Sequence, residues 1–444
     1  MADMNVLKNY QIMTHFEQLH EEIQNGLEGK NSSIPTGFYR FDRFVSIRKR
    51  IYSLIFGGTG CHAKGTKILM FDGTYKNVED IKINDLLMGP DSKHRKVLEL
   101  KRGQEQMYLL KQNKGLNYEI NENHILNLVK LTKGKKEYIN ISVKDYLKKN
   151  DKFKHLWKCY KTSVEFDEKS LEIEPYFIGL WLGDGTSCKP EITTKDEEIK
   201  AYLQEFCNKY NLKLNQHKKD GLNYNLVTKT KGLIGSNCLL NYLKKENLLC
   251  NKHIPQNLLI NSRKNRLELL AGLIDSDGHK EKGGGYSITL KDENLAKQVT
   301  FLSRSLGFYT SINPKKALMK RKDGSIYTSD VQRIIINGNN LYEIPCIVKR
   351  KQIISKSTRC SDALHTGFEL IKTEIKDFYG FTIDSDNLYL LEDFTVTHNC
   401  GKTAFVHNAY ILNPFDWWIQ NRKNTNATLK PILFSMERSK LYTL

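Results

Sequence analysis

A phosphate-loop signature stands in this chain in two pieces, and the break between them constrains everything else. Gly57-Gly58-Thr59-Gly60 runs directly into Cys61, and far downstream the chain reads His398-Asn399-Cys400-Gly401-Lys402-Thr403. Joining Gly60 to Cys400 fills every position of the pattern G-x-x-x-x-G-K-[ST]. Such a loop works by wrapping consecutive backbone N–H groups around one anion, so 339 intervening residues (61–399) leave it unable to hold a phosphate. The chain is therefore two things at once: a nucleotide-binding frame, and a long insert that disables it.

Composition separates frame from insert. At 444 residues there is material for two to four domains. The net charge is +19, of which residues 1–60 and 400–444 together carry only +5, leaving +14 on residues 61–399. An excess of that size suits a polyanion, nucleic acid above all, although lysine runs such as Lys133-Gly134-Lys135-Lys136 also fit a plain compositional bias. The nine cysteines contain no C-x-x-C pair. Cys159, Cys188, Cys207, Cys238, Cys250, Cys346 and Cys360 read as reduced cysteines of an intracellular protein, whereas Cys61 and Cys400 stand at the two cut points. The N-terminus lacks a signal-peptide pattern and no apolar run approaches eighteen residues. The expectation is a soluble cytoplasmic protein of a phage, virus or bacterial cell, with no membrane partner.

The insert has two textures. Residues 61–165 and 346–399 read as short strands punctuated by turns, such as Lys67 to Phe71 before Asp72-Gly73, and Met88 before Gly89-Pro90-Asp91. That is an all-β pattern. Residues 166–345 alternate helices with strands and repeat themselves. Phe177 to Gly185 reads F-I-G-L-W-L-G-D-G and is followed by Ile192-Thr193-Thr194-Lys195-Asp196-Glu197. Leu270 to Gly278 reads L-A-G-L-I-D-S-D-G and is followed by Ile288-Thr289-Leu290-Lys291-Asp292-Glu293. The expected layout is thus 1–60, 61–165, 166–345, 346–399 and 400–444, one domain nested in a second that is nested in a third.

An insert that opens on Cys61 and closes on His398-Asn399 before Cys400 resembles an intein. The resemblance implies an all-β Hint domain and a cofactor-free reaction in four steps. The Cys61 thiol attacks the Gly60 carbonyl to give a thioester, since thiolate is the best side-chain nucleophile near neutral pH. Cys400 takes over the acyl group, Asn399 cyclises onto its own carbonyl with help from His398, and an S-to-N shift joins Gly60 to Cys400. Asn121-Glu122-Asn123-His124 matches the family's T-x-x-H segment, with His124 in the activating role and Asn121 in place of Thr. The closing stretch Gly380 to Leu391 departs twice from the family pattern: Gly380 stands where an Asp is usual, and Asn387 where a His is usual. Both departures bear on the timing of Asn399 cyclisation. Alone, a Cys after Gly is usually a small buried hydrophobe and a lone His a structural one. Two cut points inside one loop override those readings.

The paired motifs resemble LAGLIDADG homing endonucleases in their single-chain form. This implies an α+β insert of two pseudo-symmetric αββαββα halves, with sheets forming a basic saddle on double-stranded DNA. Gly179 with Gly183, and Gly272 with Ser276, lie four apart and leave one face of each helix bare for close approach. Pro175 suits a first helical turn, and Gly185 and Gly278 suit left-handed helix ends. Each helix delivers one acid, Asp184 or Asp277, to a shared end where magnesium would be held and would activate water. Lys213, Lys218, Lys219, Lys229, Lys231, Lys315, Lys316, Lys320, Arg321, Lys322 and Arg333 fall in the saddle stretches, with Lys229 and Lys320 as guesses for one catalytic lysine per half.

The flanks resemble the motor domain of DnaB-like replicative helicases, an α/β RecA-like fold. Ile34 to Phe44 matches its start, Ile51 to Phe56 reads as the strand before the loop, Thr403 to Val406 opens a helix, and Pro431 to Phe434 reads as the next strand before the water-polarising Glu437. The resemblance implies ATP held by Gly57, Gly60, Gly401 and Lys402, magnesium on Thr403, and a hexamer on single-stranded DNA. The motifs favour a splicing precursor with an active or a relic nuclease over two alternatives: an ATPase that retains a regulatory insertion, and a non-splicing DNA-binding or structural protein with a dead insert.

Overall fold

The computed structural model describes residues 24, 60–132, 134–217, 221–229, 237–320, 326–355, 362–399, 432–433 and 442–443. The matches at Ile34–Phe44 and Ile51–Phe56, and the loop residues Gly57, Cys400, Gly401, Lys402 and Thr403, lie outside these, as does Glu437. The chain divides into two compact units, 1–58 with 401–444, and 59–400. In the first, Ile432–Leu433 forms a short strand antiparallel to Tyr442–Thr443, at the place where the flank reads as a strand. Among the described residues no helix is long and apolar enough to cross a membrane.

The second unit begins and ends in β-structure. Its first part runs β1 (His62–Ala63), β2 (Lys67–Leu69), β3 (Tyr75–Asn77), β4 (Leu86–Met88), β5 (His94–Gln112), β6 (Tyr118–Asn121), β7 (Ile125–Thr132) and β8 (Lys135–Ser142). Then come α1 (Val143–Leu147), α2 (Asp151–Leu156) and β9 (Cys159–Tyr160). Asn84 and Ser92 adopt positive φ at turns beside Asp85 and Asp91, the polar turn chemistry that ends these short strands. Strict alternation in β5 turns Arg95, Val97, Glu99 and Lys101 inward and leaves their neighbours on the other face.

The middle of the unit folds as two related halves. The first is α3 (Pro175–Asp184), β10 (Glu191–Thr193), α4 (Glu197–Lys209), β11 (Leu212–Gln216), β12 (Asn223–Thr228), α5 (Cys238–Lys245) and the short α6 (Gln256–Leu259). The second is α7 (Arg263–Asp277), β13 (Gly278–Lys280), β14 (Tyr286–Leu290), α8 (Glu293–Ser305), β15 (Tyr309–Lys320) and β16 (Ile326–Asn337). Their sheets order as β10-β12-β11 and β13-β14-β16-β15. The halves depart from ideal αββαββα in two places. A single bridge between Gly185 and Ile192 replaces the first strand of the first half. In the second half a 3₁₀ turn at Leu341–Glu343 follows β16 where a helix was expected.

The chain then returns to the β part through β17 (His365–Thr366), β18 (Phe368–Ile383), β19 (Leu388–Leu390) and β20 (Val396–His398). β18 pairs with both β1 and β5, and β6 joins β1 to β5, so four strands close on themselves. β1, at the start of the insert, thereby shares one sheet with β18, near its end, while β19 and β20 pair as a separate hairpin. Ile68, Leu87, Val97, Leu128 and Phe381 fill the core of the β part.

The nested halves are not a loosely tethered bead. Leu69, Met88, Leu390, Phe394 and Val396 of the β part belong to the same apolar cluster as Phe177, Leu273 and Leu302. Phe301 lies 5.5 Å from Phe394 and 5.9 Å from Tyr75, ring centre to ring centre. Residues 346–351, which the sequence placed with the β part, pack on α7 instead: Cys346 and Val348 join that cluster, and the Ile347 N–H donates to Asp275 Oδ2 at 2.7 Å.

Candidate active sites

At the start of the insert, Gly60 leads into β1 and Cys61 is buried with Ala63, Met107 and Phe378. The Cys61 N–H donates to Asn121 Oδ1 at 2.8 Å, and Asn121 in turn donates to Glu105 at 2.6 Å. Asn121 therefore grips the nitrogen of the bond that Cys61 would attack, which a Thr at that position would do with one hydroxyl. Gly60 lies against the backbone of His124: a Cβ built on Gly60 would stand 2.9 Å from His124 Cα.

At the other end, the ring of His398 donates from Nδ1 to the carbonyl oxygen of Asn399, the carbonyl that Asn399 cyclisation would attack. Burial lowers the His398 pKa, with this bond and the charge of Asp386 acting against it. Asn399 is buried, its N–H donates to the Asn387 carbonyl at 2.7 Å, and both atoms of its side-chain amide lack a hydrogen-bond partner among the described residues. An amide left without hydrogen bonds keeps its nitrogen available for attack. Asn387 has a positive φ of 63°. It thus serves this junction through its backbone, in the place where the family more often carries an imidazole.

The two ends meet. His124 Nε2 lies 2.9 Å from Thr397 Oγ1, although 273 residues separate them. His62, edge-on to His124 at 4.8 Å between ring centres, bonds Tyr389 Oη at 2.8 Å. Burial and the neighbouring His62 and His398 push the His124 pKa well below the usual histidine value, and burial brings His62 to about 3, so both rings are neutral. The motif reading did not reach His62, Thr397 or Tyr389, because their roles arise only when β1, β7, β19 and β20 come together.

Gly380 explains its own departure from the family pattern. A Cβ at this position would stand 2.3 Å from Cys61 Sγ, so the thiol occupies the space a side chain would need. Gly380→Asp is expected to slow thioester formation at least tenfold instead of restoring a missing acid, through displacement of Cys61. Thiol-induced cleavage at Gly60, followed on a gel, checks this.

In the nested halves, α3 and α7 pack backbone to backbone. A Cβ on Gly179 would stand 2.3 Å from Leu269 O, and one on Gly272 would stand 2.1 Å from Tyr176 O. That bears out the bare-face expectation. Gly185 and Gly278 are a correction: both are extended, with φ of −77° and −79°, not left-handed. They are glycine because a side chain would strike the preceding turn, 2.3 Å from Trp181 O and 2.6 Å from Ile274 O respectively.

Asp184 and Asp277 end these helices side by side. Burial and the charge of Asp277 raise the Asp184 pKa to about 6, and burial raises Asp277. Lys252 donates to Gly183 O at 3.0 Å and Gly185 O at 2.7 Å. Lys351 donates to the carbonyls of Ile274, Asp275 and Ser276 at 2.8, 2.8 and 2.9 Å. Each lysine therefore caps one acid-bearing helix end, and both ammonium groups oppose the upward shift of the acids. Of the two guessed catalytic lysines, Lys229 is exposed after β12 and the Lys320 side chain lies outside the described residues. Nothing in a lysine-rich sequence singles out Lys252 or Lys351. The chain must fold back on the helix ends before they stand apart.

The paired acids fit a divalent ion. Neither side chain has a hydrogen-bond or close ion-pair partner among the described residues, and their mutual repulsion is what a cation would relieve. Without such a cation, the raised Asp184 pKa stabilises the fold below about pH 4 and loses that contribution as pH rises through about 6. The unfolding temperature of the wild-type chain, relative to Asp184→Asn, is expected to fall across that window in metal-free buffer. The difference corresponds to ~1 kcal/mol after solvent screening.

A further correction concerns Cys188 and Cys250, expected to be reduced: they form a disulfide between the loop after α3 and the segment leading to Lys252. Of the saddle cations, Lys213, Lys315 and Lys316 are exposed on β11 and β15, and Arg333 pairs with Glu281 at 2.7 Å. Lys218, Lys219, Lys231, Arg321 and Lys322 lie outside the described residues.

A fold that brings its own two ends together around a thiol, an amide and two imidazoles, and that carries a separate pair of acids on packed helices, defines a chain built to act both on its own backbone and on a second substrate. The family model described as "Hom_end-associated Hint" matches residues 61–398, and the chain belongs to that family, inteins with a nested homing endonuclease. Among curated proteins it is similar to a replicative DNA helicase DnaB of Mycobacterium intracellulare, 29% identical over 37% of this chain and 24% of that one. It is also similar to the catalytic polypeptide of a V-type proton ATPase from Candida tropicalis, 23% identical over 77% of this chain and 44% of that one. A third is the homothallic switching endonuclease of Saccharomyces cerevisiae, 26% identical over 51% and 43%. The chain thus spans less than half the length of each of these relatives. Among solved structures, variants of the homing endonuclease I-DmoI align with 37% of this chain and 87% of theirs at 18% identity and a TM-score of 0.26. The gp41-1 intein aligns with 19% and 81% at 15% identity and 0.15.

Proposed function

We propose that the chain is a self-splicing precursor in which residues 61–399 excise themselves and join Gly60 to Cys400. The observation that carries this reading is the convergence of the two junctions, tied by His124 and Thr397 across 273 residues. In the first step the Cys61 sulfur bonds to the Gly60 carbonyl carbon, the C–N bond breaks, and the thiol proton ends on the freed Cys61 amine. His124 assists that nitrogen as it leaves, while Asn121 holds it in place. Cys400 then displaces the Cys61 sulfur. The Asn399 side-chain nitrogen attacks the Asn399 carbonyl carbon, polarised by His398, and the peptide bond to Cys400 breaks. The Cys400 amine finally takes the acyl group from its own sulfur.

The joined product restores the phosphate loop. Gly57, Gly60, Gly401 and Lys402 would then hold ATP phosphates and Thr403 a magnesium ion in a DnaB-like host, a hexamer on single-stranded DNA. The nested halves read as a nuclease that cuts the uninterrupted host gene. Asp184 and Asp277 would hold magnesium, which when bound supplies charge neutralisation and an activated water. Lys252 and Lys351 fix the helix ends that present these acids, and the exposed lysines of β11 and β15 contribute phosphate contacts that orient the duplex.

The test is incubation of freshly purified precursor. Excision is expected to yield an insert of about 39 kDa, its share of the 51.5 kDa chain, together with a ligated flank product. A chain that stays whole overturns the splicing reading.

A further inference from the structure

The Thr397 hydroxyl is buried and bonded to His124 Nε2, and the strand that carries it runs straight into His398 and Asn399. A neutral imidazole has one N–H and one lone pair, and the bond made at one nitrogen decides where the proton sits. Two arrangements are available. If His124 Nε2–H donated to Thr397, the buried hydroxyl proton would have no acceptor among the described residues. Nδ1 would then need a donor as well, and it has none among the described residues. If Thr397 donates to Nε2, the hydroxyl and Nε2 are both satisfied and only Nδ1–H remains open. His124 Nδ1 is a buried atom without a hydrogen-bond partner among the described residues. Leaving one polar group unmet costs less than leaving two, so the second arrangement is favoured.

We propose that Thr397 is a positioning residue for the first splicing step: its hydroxyl donates to His124 Nε2 and so keeps the His124 proton on Nδ1, ready for the nitrogen of the Gly60–Cys61 bond. This rests on the splicing reading above and adds to it a residue from the opposite junction. The consequence is mechanical as well as chemical. β20 presents Thr397 to the first step and Asn399 to the third, so the first step is competent only when the strand bearing the second cut point is seated against β7.

The experiment uses the full chain with Thr397→Val, which keeps the shape and removes the hydroxyl, and Thr397→Ser, which keeps the hydroxyl. In an Asn399→Ala background, cleavage at Gly60 by dithiothreitol is expected to slow about tenfold to a hundredfold with Val and to stay within about threefold with Ser, the range set by loss of a positioned proton donor. In a Cys61→Ala, Asn399→Ala chain, which remains intact, long-range ¹⁵N–¹H correlation of the His124 ring is expected to show the Nδ1–H tautomer with Thr or Ser and its loss with Val. An unchanged tautomer in the Val chain overturns the proposal. So does Ser slowing cleavage as much as Val, which would mark a packing role. If no chain cleaves with dithiothreitol, the splicing reading fails, and the tautomer measurement still decides the Thr397–His124 link.

Discussion

Precursor carrying Cys61→Ala is expected to form no thioester, no thiol-released flank and no ligated product, whereas precursor carrying Asn399→Ala retains thiol-induced cleavage at Gly60 and loses the C-terminal cut. Each loss should be ~10³-fold or more, because no second nucleophile occupies either position. The asymmetry is the informative part. Cys61 is buried with its amide nitrogen held by Asn121, and Asn399 is buried with its carbonyl held by His398, so in the proposed reaction each junction would have its own activating groups. An ATPase that simply retained its insert would give one unchanged band with either substitution. A chain whose ends were joined only by accident of sequence would not lose both cuts separately. Gel electrophoresis with mass spectrometry of the fragments reads both outcomes, and equal, intact behaviour of the two variants and the parent would sink the assignment.

How much of this could be read from the residues alone depends on whether the signal was local. Cys61, Asn121, His124, His398 and Asn399 were legible because each sits in a short motif, and the broken loop marked the two ends independently. The helices bearing Asp184 and Asp277 were legible through their repeat and through the small residues Gly179 and Gly272, which now stand where a Cβ would strike the opposite backbone. Groups that act only after distant segments meet left no such trace. Thr397 reaches His124 across 273 residues of sequence, and Lys252 and Lys351 reach helix ends upstream of them. Gly185 and Gly278 were given the wrong cause for a physical reason: a glycine after a helix usually relieves a left-handed backbone, and here it relieves a clash with the last turn. Cys188 and Cys250, 62 residues apart and without a pairing motif, gave no sign of the disulfide.

Replacing Asp277 by Asn should abolish double-strand cleavage while leaving DNA binding intact. Asn keeps the size of the side chain and loses the charge, so the α3–α7 packing survives and the shared end of the helices no longer attracts a divalent ion. Removing several kcal/mol of transition-state charge stabilisation corresponds to a rate loss of ~10³-fold or more. The duplex should bind equally well or slightly tighter, since one negative charge would be taken from the surface proposed to face the phosphates. Asp184→Asn should behave alike within about tenfold, because each helix end holds its acid in the same way: an extended glycine follows it and a lysine caps the carbonyls. The measurement is conversion of a supercoiled plasmid carrying the uninterrupted host sequence, with magnesium, beside a gel-shift titration of the same site. Cutting by Asp277→Asn at the parental rate would remove these acids from the chemistry. Failure of the parent to cut, with binding retained, would identify a nuclease that has kept its fold and lost its reaction. The two results are separable because the proposed function assigns binding to the exposed lysines of β11 and β15, and cleavage to the two acids, which have no hydrogen-bond or ion-pair partner among the described residues.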